Sequence, residues 1–484
     1  MDSSRRSRVD VIAELTSLIG ADAVLTAPSD LDAVTEDWRG RYRGPALCLA
    51  RPANAGQVAD VVRCCARHGV PVLPQGGNTS LCGGAVPSET GPAPVILSLT
   101  RMRAVRAIDP VNNTMEVEAG CVLATVQEAA AAAGRLYPVS LGAEGSCQIG
   151  GTIATNAGGT SVLRYGNTRE NVLGLEVVLA DGTVWSGLYG LRKNNTGYDL
   201  KHLFIGSEGT LGIITAATLK LHPLPTCHAV AWVGMASPED ALTLLTRVQA
   251  RSAARLSAFE MINRLQLDLV VGNVPGRRSP IESEADWHVL IELSDNGSGE
   301  ALDDELQAIL EDAFADGLLS DAALAASEAQ RHAMWEIRHS VSEANKKAGV
   351  GLTTDCAVPL SAVPAFIASA TAAVRALVPD LPVIVVAHLG DGNVHFIPFF
   401  SFDAWEAAAA AGDRDALAAA LRHAVNDEAA RLKGTFSAEH GVGRVQLAEM
   451  ARYKPSAELA LMHAVKRALD PQNIFNPGRL LPPG

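Results

Sequence analysis
The sequence predicts an α+β fold built from more than one domain. Three observations carry this: short β-prone runs alternate with helices and glycine-rich turns from Ala46 to about Pro225, prolines then break a strand, and beyond them the helices lengthen. The alternation alone is open between α/β and α+β. In chain order it places a strand near residues 46–50, a helix over 55–68, a strand at 70–73, a hairpin around Val117 and an alanine-rich helix over 123–133. Residues 175–185 turn at Asp181-Gly182, the dipeptide of a type I′ hairpin. The strand over 212–221 ends at Pro223 and Pro225, which mark the clearest boundary. Past it come amphipathic helices over 238–253 and 300–314, a strand over 287–293, and an alanine-rich stretch, 404–432, that reads as helix throughout. The last segment, 454–480, is a helix followed by D-P-Q-N-I-F-N-P-G-R, where Pro471 and Pro477 force an extended tail. The resulting division is 1–225, 226–435 and 436–484.

The chain has 484 residues, enough for two or three domains with substantial cores. Its formal charge of −13, from 53 acidic against 40 basic groups, argues against nucleic acid and anionic membrane surfaces as partners. The eight cysteines form no C-x-x-C pair and no regular framework, so they read as reduced, buried thiols of a reducing compartment, by default the cytoplasm. Arg5, Arg6 and Arg8 run straight into Asp10 with no apolar core of a secretion signal; three arginines leave a mitochondrial presequence open. No run reaches the roughly 18 apolar residues expected of a transmembrane segment.

Chemistry concentrates in two motifs of the C-terminal half: H-L-G-D-G-N-V-H from His388 to His395, and E-H-G-V-G from Glu439 to Gly443. Apolar, β-prone residues flank the first motif, and its Gly-Asp-Gly-Asn centre suits a tight connection, so it predicts a hairpin. Across a hairpin the two histidines stand with Cβ atoms roughly 4.5–5.5 Å apart, close enough to share one ion. On a continuous helix seven residues would separate them by roughly 10 Å. Glu439 completes a His-His-Glu set with an open position, the pattern of catalytic zinc, and His440 is left as a candidate base. The alternative reading is a pair of ordinary core or solvated histidines.

Three glycine-rich stretches precede the boundary: P-Q-G-G-N-T-S from Pro74, G-A-E-G-S-C-Q-I-G-G-T-I-A-T-N-A-G-G from Gly142, and G-S-E-G-T-L-G-I-I-T from Gly206. Glycine lets backbone amides approach a pyrophosphate and form an anion-binding nest, so a phosphate-bearing cofactor is implied; ordinary turns are the alternative. The stretches match neither a Rossmann fingerprint nor a P-loop.

With L-R-K-N-N-T-G-Y-D-L-K (Leu191 to Lys201), these stretches resemble those of the FAD-linked D-2-hydroxy acid dehydrogenases, over roughly residues 30–480. The resemblance implies a vanillyl-alcohol oxidase-type fold: an FAD-binding domain of two α+β subdomains, a substrate-binding cap domain with an antiparallel sheet, and a C-terminal segment returning to the flavin and metal. It implies that Pro74, Gly76, Gly77, Asn78, Thr79 and Ser80 wrap the pyrophosphate. Gly142, Ser146, Ile149, Gly150, Gly151, Thr155, Asn156 and Gly159 would line the flavin. Ile213 and Ile214, with Glu208 and Gly209, would hold the adenine end, and Asn476 would close over the isoalloxazine. Asn78 stands where some relatives carry a histidine bonded to the flavin, so FAD is expected to be noncovalent.

By the same resemblance His388, His395 and Glu439 bind Zn²⁺ or a similar divalent metal. His440 is then the base while the C2 hydrogen of a D-2-hydroxy acid passes as hydride to flavin N5. Arg338 and Ser342, four apart on one expected helix, match an Arg and Thr that grip substrate, and Asn393 and Thr353 are expected to bind substrate as well; a solvated surface arginine is the alternative. Two positions depart from the hydroxyglutarate pattern: Thr353 stands where lysine is usual and Ile397 where asparagine is. Both fit a D-lactate branch, and a lost charged contact of about 1.5–3 kcal/mol changes preference tenfold or more. D-2-hydroxyglutarate is the first expected substrate, with D-lactate or D-malate next. The electron acceptor is expected to be an electron-transfer flavoprotein, quinone or cytochrome, and a homodimer is plausible by resemblance. A zinc hydrolase and a non-catalytic flavin module are the competing readings.

Overall fold
The computed structural model describes residues 2–412 and 414–484. The chain divides into two compact units, one of Met1–Gly159, Gly166–Leu224 and Glu439–Gly484, the other of Thr160–Tyr165 and Pro225–Ala438.

In the first unit a four-stranded sheet orders Val24–Leu25, Cys48–Ala50, Val95–Ser98 and Val72–Gln75, the last three parallel. The helix Ala55–His68 starts where the Asn54 side chain accepts the Gln57 N–H and stops at Gly69 in the left-handed region. It buries Val58, Val61, Val62 and Cys65; the N-terminal helix Asp2–Ile19 packs on it with Val11, Leu15 and Ile19, four apart and buried. A second sheet of five antiparallel strands, in the order Val105–Asp109, Thr114–Glu118, Ile213–Lys220, Val172–Val178 and Val184–Gly187, shares the same core. Its last hairpin has only Gly182 at positive φ, with Gly182 N–H donating to Leu179 O and Leu179 N–H to Thr183 O. A type I′ turn needs two such residues, so the expected I′ turn is corrected to a type I turn closed by a left-handed glycine.

After the helix Ser456–Leu469 the tail is ordered by one buried side chain. Asp470 accepts the N–H groups of Ile474 and Phe475, and Phe475 runs parallel to Val72 at the sheet edge. This brings Asn476 beside the first glycine stretch, with its N–H on Val72 O.

The second unit is built on an eight-stranded antiparallel sheet in the order Asp321–Leu324, Cys227–Met235, Trp287–Asp295, Leu256–Asn263, Val383–His388, Asn393–Phe400 and Val350–Gly351, with Cys356–Ala357 also paired to Asn393–Phe400. Its central strands bury both faces. Val385, Ala387, Val394 and Phe396 enter one core with the helices Pro238–Ser252, Gly299–Ala315, Val363–Leu377 and Arg414–Arg431. Ile384, Val386 and Ile397 enter the other with Arg264–Asn273, Glu328–His339 and Val341–Ala348.

Three expectations are corrected. The alanine-rich stretch is two helices, Phe402–Ala411 and Arg414–Arg431, because exposed Gly412 ends the first. The helix expected to carry both Arg338 and Ser342 is interrupted at Ser340. One described helical stretch, Leu360–Leu377, does have the length and apolarity of a membrane span; it turns Val363, Phe366, Ile367, Ala370 and Val374 into the core of its unit, as a buried helix does.

None of the eight cysteines forms a disulfide among the described residues, and only Cys227 is not buried. Burial pushes Cys64, Cys121 and Cys147 up to about 11. An aromatic disulfide reagent at neutral pH is therefore expected to label Cys227 first and the other seven only on unfolding, read by mass spectrometry of quenched time points.

Candidate active site
In the second unit the two motif histidines end up on one sheet face. The hairpin is formed by Val383–His388 and Asn393–Phe400, but its register pairs His388 with Asn393 and His395 with Val386. The expected direct opposition is thus a diagonal one, with the rings edge to face and centroids 5.5 Å apart. The tight turn demands glycine at Gly392, at φ 81°, where a Cβ would lie 2.3 Å from Val358 O.

The sequence reading missed Glu260. It lies directly across from His388 on the neighbouring strand, and its carboxylate receives His388 Nδ1 at 2.7 Å and Arg338 Nε at 2.7 Å. Arg338 Nη2 also approaches His388 Nε2 at 3.4 Å. These contacts select the Nδ1–H tautomer for His388, leaving Nε2 as its acceptor. Burial works to raise the Glu260 carboxyl, and the charges and hydrogen bonds of His388 and Arg338 outweigh it, so its pKa falls below the ordinary range. A lone glutamate inside a β-prone run, S-A-F-E-M-I-N, was the only available signal: a charge where strand periodicity expects an apolar side chain.

His395 Nδ1 lies 3.7 Å from the buried Asp355 carboxylate. Asn393 is also buried, and its amide donates to Asp355 and to Cys356 O, so it braces the hairpin. Asp355 further accepts the Ala438 N–H at 3.0 Å, fixing the residue that immediately precedes Glu439 in the chain. Ser342 and Thr353 are exposed, while Ile397 is buried among Ile384, Val386 and Phe399. A Cβ on Gly351 would meet Ile397 at 2.8 Å, so glycine there makes room for the larger side chain.

In the first unit the glycine stretches press against one another. A Cβ on Gly77 would stand 2.0 Å from Ser146 O, on Gly159 1.9 Å from Ser140 O, and on Gly209 2.4 Å from Pro74 Cγ. The segment from Glu439 is laced to all three regions. Glu439 accepts the Gly159 N–H at 3.0 Å, Glu208 accepts the N–H groups of Val442 and Gly443, each at 2.7 Å, and Arg444 N–H donates to Cys82 O. Asn476 donates to Glu208 O and Gly84 O.

The predicted cofactor residues thus divide. Gly142 and Gly151 face open space, as a cradle requires, and Pro74, Gly76, Thr79, Ser80 and Gly150 are half-buried. Asn78 is left-handed, with its amide turned to Glu36 O, and Asn156 accepts the Arg169 N–H. Thr155 bonds back to Gly151 O, and Ile149, Ile213 and Ile214 are buried in the core. Two buried side-chain oxygens, Asn476 Oδ1 and Gln148 Oε1, have no hydrogen-bond partner among the described residues. Donor-lined glycine loops with unsatisfied buried oxygens fit a polar ring system with a pyrophosphate tail.

Removing Glu260 should leave the part-buried Arg338 without its carboxylate and His388 without its Nδ1 acceptor. Glu260→Leu is expected to destabilise the protein by about 3–5 kcal/mol, and the double variant Glu260→Leu, Arg338→Met to recover most of it, in urea unfolding; near-wild-type stability of the single variant would refute the pairing.

Residues 46–187 match the model of an FAD binding domain and residues 224–480 that of the C-terminal domain of FAD linked oxidases. The chain is 38% identical over 461 residues to the mitochondrial D-2-hydroxyglutarate dehydrogenase of Bos taurus, covering 95% of this chain and 81% of that one. It is 36% identical to the D-2-hydroxyglutarate dehydrogenase of Xanthomonas citri pv. viticola, covering 97% and 96%. A Schizosaccharomyces pombe protein named provisionally as a mitochondrial D-lactate dehydrogenase is 34% identical, covering 95% and 88%. The fold is that of p-cresol methylhydroxylase, with a TM-score of 0.75 at 18% identity over 98% of this chain and 97% of that one. The chain belongs to the FAD-linked oxidase family, alongside the D-2-hydroxyglutarate dehydrogenases, and is an FAD-dependent oxidoreductase.

Proposed function
We propose that the protein oxidises a D-2-hydroxy acid, D-2-hydroxyglutarate first, to the 2-oxo acid, with His388, His395 and Glu439 binding zinc or a similar divalent metal. The observation that supports this most is the His388–Glu260 bond: a buried carboxylate on Nδ1 makes Nε2 the acceptor nitrogen, as in a metal-bound imidazole, and a metal would take there the place of the long 3.4 Å approach of Arg338 Nη2. Bound metal supplies a Lewis acid that makes the substrate hydroxyl acidic, and bound FAD supplies a two-electron acceptor. The chain's own groups do the rest. His440 takes the hydroxyl proton, Arg338 grips a carboxylate with the guanidinium edge that Glu260 orients, and Asn393 keeps the hairpin rigid beneath both histidines.

FAD is held noncovalently in this reading, by the loops of Gly76 to Ser80, Gly142 to Gly159 and Gly206 to Gly209 and by Asn476. Asn78 offers an amide, which forms no bond to a flavin carbon. D-Lactate is the second reading, favoured by neutral, exposed Thr353 and by Ile397 locked in an apolar cluster, neither of which attracts a second carboxylate.

A panel of D-2-hydroxy acids differing in length and charge decides the substrate. Anaerobic bleaching of the flavin by D-2-hydroxyglutarate faster than by D-lactate is expected; the opposite order favours the second reading, and no bleaching by any member refutes both. His440→Asn is expected to retain FAD yet lose bleaching by a factor of about 10²–10⁴. Acid precipitation should leave the yellow colour in the supernatant, and colour in the pellet would contradict noncovalent binding.

A further inference from the structure
We infer that Glu208 is the positioning residue of the segment carrying Glu439 and His440, acting as a tethered anion in a backbone nest. Successive N–H groups of Val442 and Gly443 point at its two carboxylate oxygens, Val442 to Oε1 and Gly443 to Oε2, both at 2.7 Å. Gly441 and Gly443 flank Val442 at φ 82° and 54°, the positive values that turn adjacent amides towards one anion.

Three further features tie this residue to that task. Residues 439–443 lie outside any helix or strand, so their amides need partners from elsewhere in the fold. Glu208 is half-buried as a residue yet forms no ion pair among the described residues; burial raises its carboxyl pKa, and the two amides, with the more distant charge of Arg479, act to hold the carboxylate form. It also adopts φ 50°, a conformation costly for a residue with a side chain. Its own backbone is clamped there, with N–H on Ala154 O and C=O receiving the Asn476 amide. A Cβ on Gly441 would meet Oε1 at 2.8 Å, and Gly441 takes φ 82°, so glycine at that position suits both the nest and the carboxylate in it. Glu208 therefore holds the catalytic segment, a role distinct from the adenine contact implied by resemblance.

The catalytic consequence rests on reading Glu439 as a ligand and His440 as the base; the clamp itself does not. Glu208→Gly removes the carboxylate and suits the left-handed backbone, leaving a nest that a free carboxylate can enter. Amide hydrogen exchange in the FAD-loaded protein is expected to rise at least about tenfold at Val442 and Gly443, and added formate to restore protection. Flavin reduction by the best acid of the panel should slow about 100-fold and recover with formate but not with chloride. Unchanged protection of both amides in Glu208→Gly, with or without formate, overturns the proposal. Should that variant lose its flavin, Glu208→Gln decides by the same exchange measurement, since it replaces one acceptor oxygen by an NH2 donor and removes the charge: protection of at least one of the two amides is expected to fall, and unchanged protection of both would overturn the clamp. If the wild type is reduced by no D-2-hydroxy acid, the proposed function fails while the exchange result still decides the clamp.

Discussion
Backbone approach closer than any side chain allows is the constraint from which the first unit is organised. Where Gly77 meets Ser146 O, Gly159 meets Ser140 O and Gly443 meets Cys82 O, a Cβ would fall at 2.1 Å or less from a carbonyl oxygen. No rearrangement of a flexible side chain relieves such a contact, because the obstacle is main chain. The glycines therefore let three loops and a remote segment touch main chain to main chain, and the amides there have to be used. Some go to carboxylates of the protein itself, those of Glu439 and Glu208. A dinucleotide, with its many acceptors, is the kind of ligand that glycine-lined loops suit.

The second unit obeys the complementary rule, that a charge taken out of water must be matched. Its sheet face carries Glu260, bonded to His388 and Arg338, and Glu292, which accepts the Trp335 indole N–H and the Ser257 hydroxyl. An unmatched carboxylate in such a place costs several kcal/mol, so the partners are as strongly required as the acids. The result is a histidine of one tautomer and an arginine of one orientation, held by strands with hydrophobic cores on both faces. Pre-set polar groups on rigid elements lose little when a substrate arrives.

Much of the fold was legible because it follows from local periodicity and punctuation. The helix Ala55–His68 carries its own caps, Asn54 and Gly69, and the strand Ile213–Lys220 stops before its prolines. Errors fell where a local signal was ambiguous. Asp181-Gly182 suits several turn types, and here only Gly182 takes a positive φ. Alanine favours helix across 404–432, but one exposed glycine without tertiary support was enough to divide it. Glu260 was illegible for a different reason: its importance comes from strands 128 residues apart in sequence being neighbours in the sheet.

The sequence by itself determined the chemistry on offer: two histidines bracketing a glycine turn, an acid-histidine pair, and three glycine-rich loops. It did so because residue type and short-range spacing survive without a fold. Tertiary structure alone decided how those groups are tuned. Register placed Glu260 opposite His388 and set His395 on the diagonal, and burial made Ile397 a core residue. Glu208 became the clamp on the His440 segment through contacts 234 and 235 residues apart. Such pairings depend on hydrogen-bond partners and dielectric surroundings that no local pattern encodes.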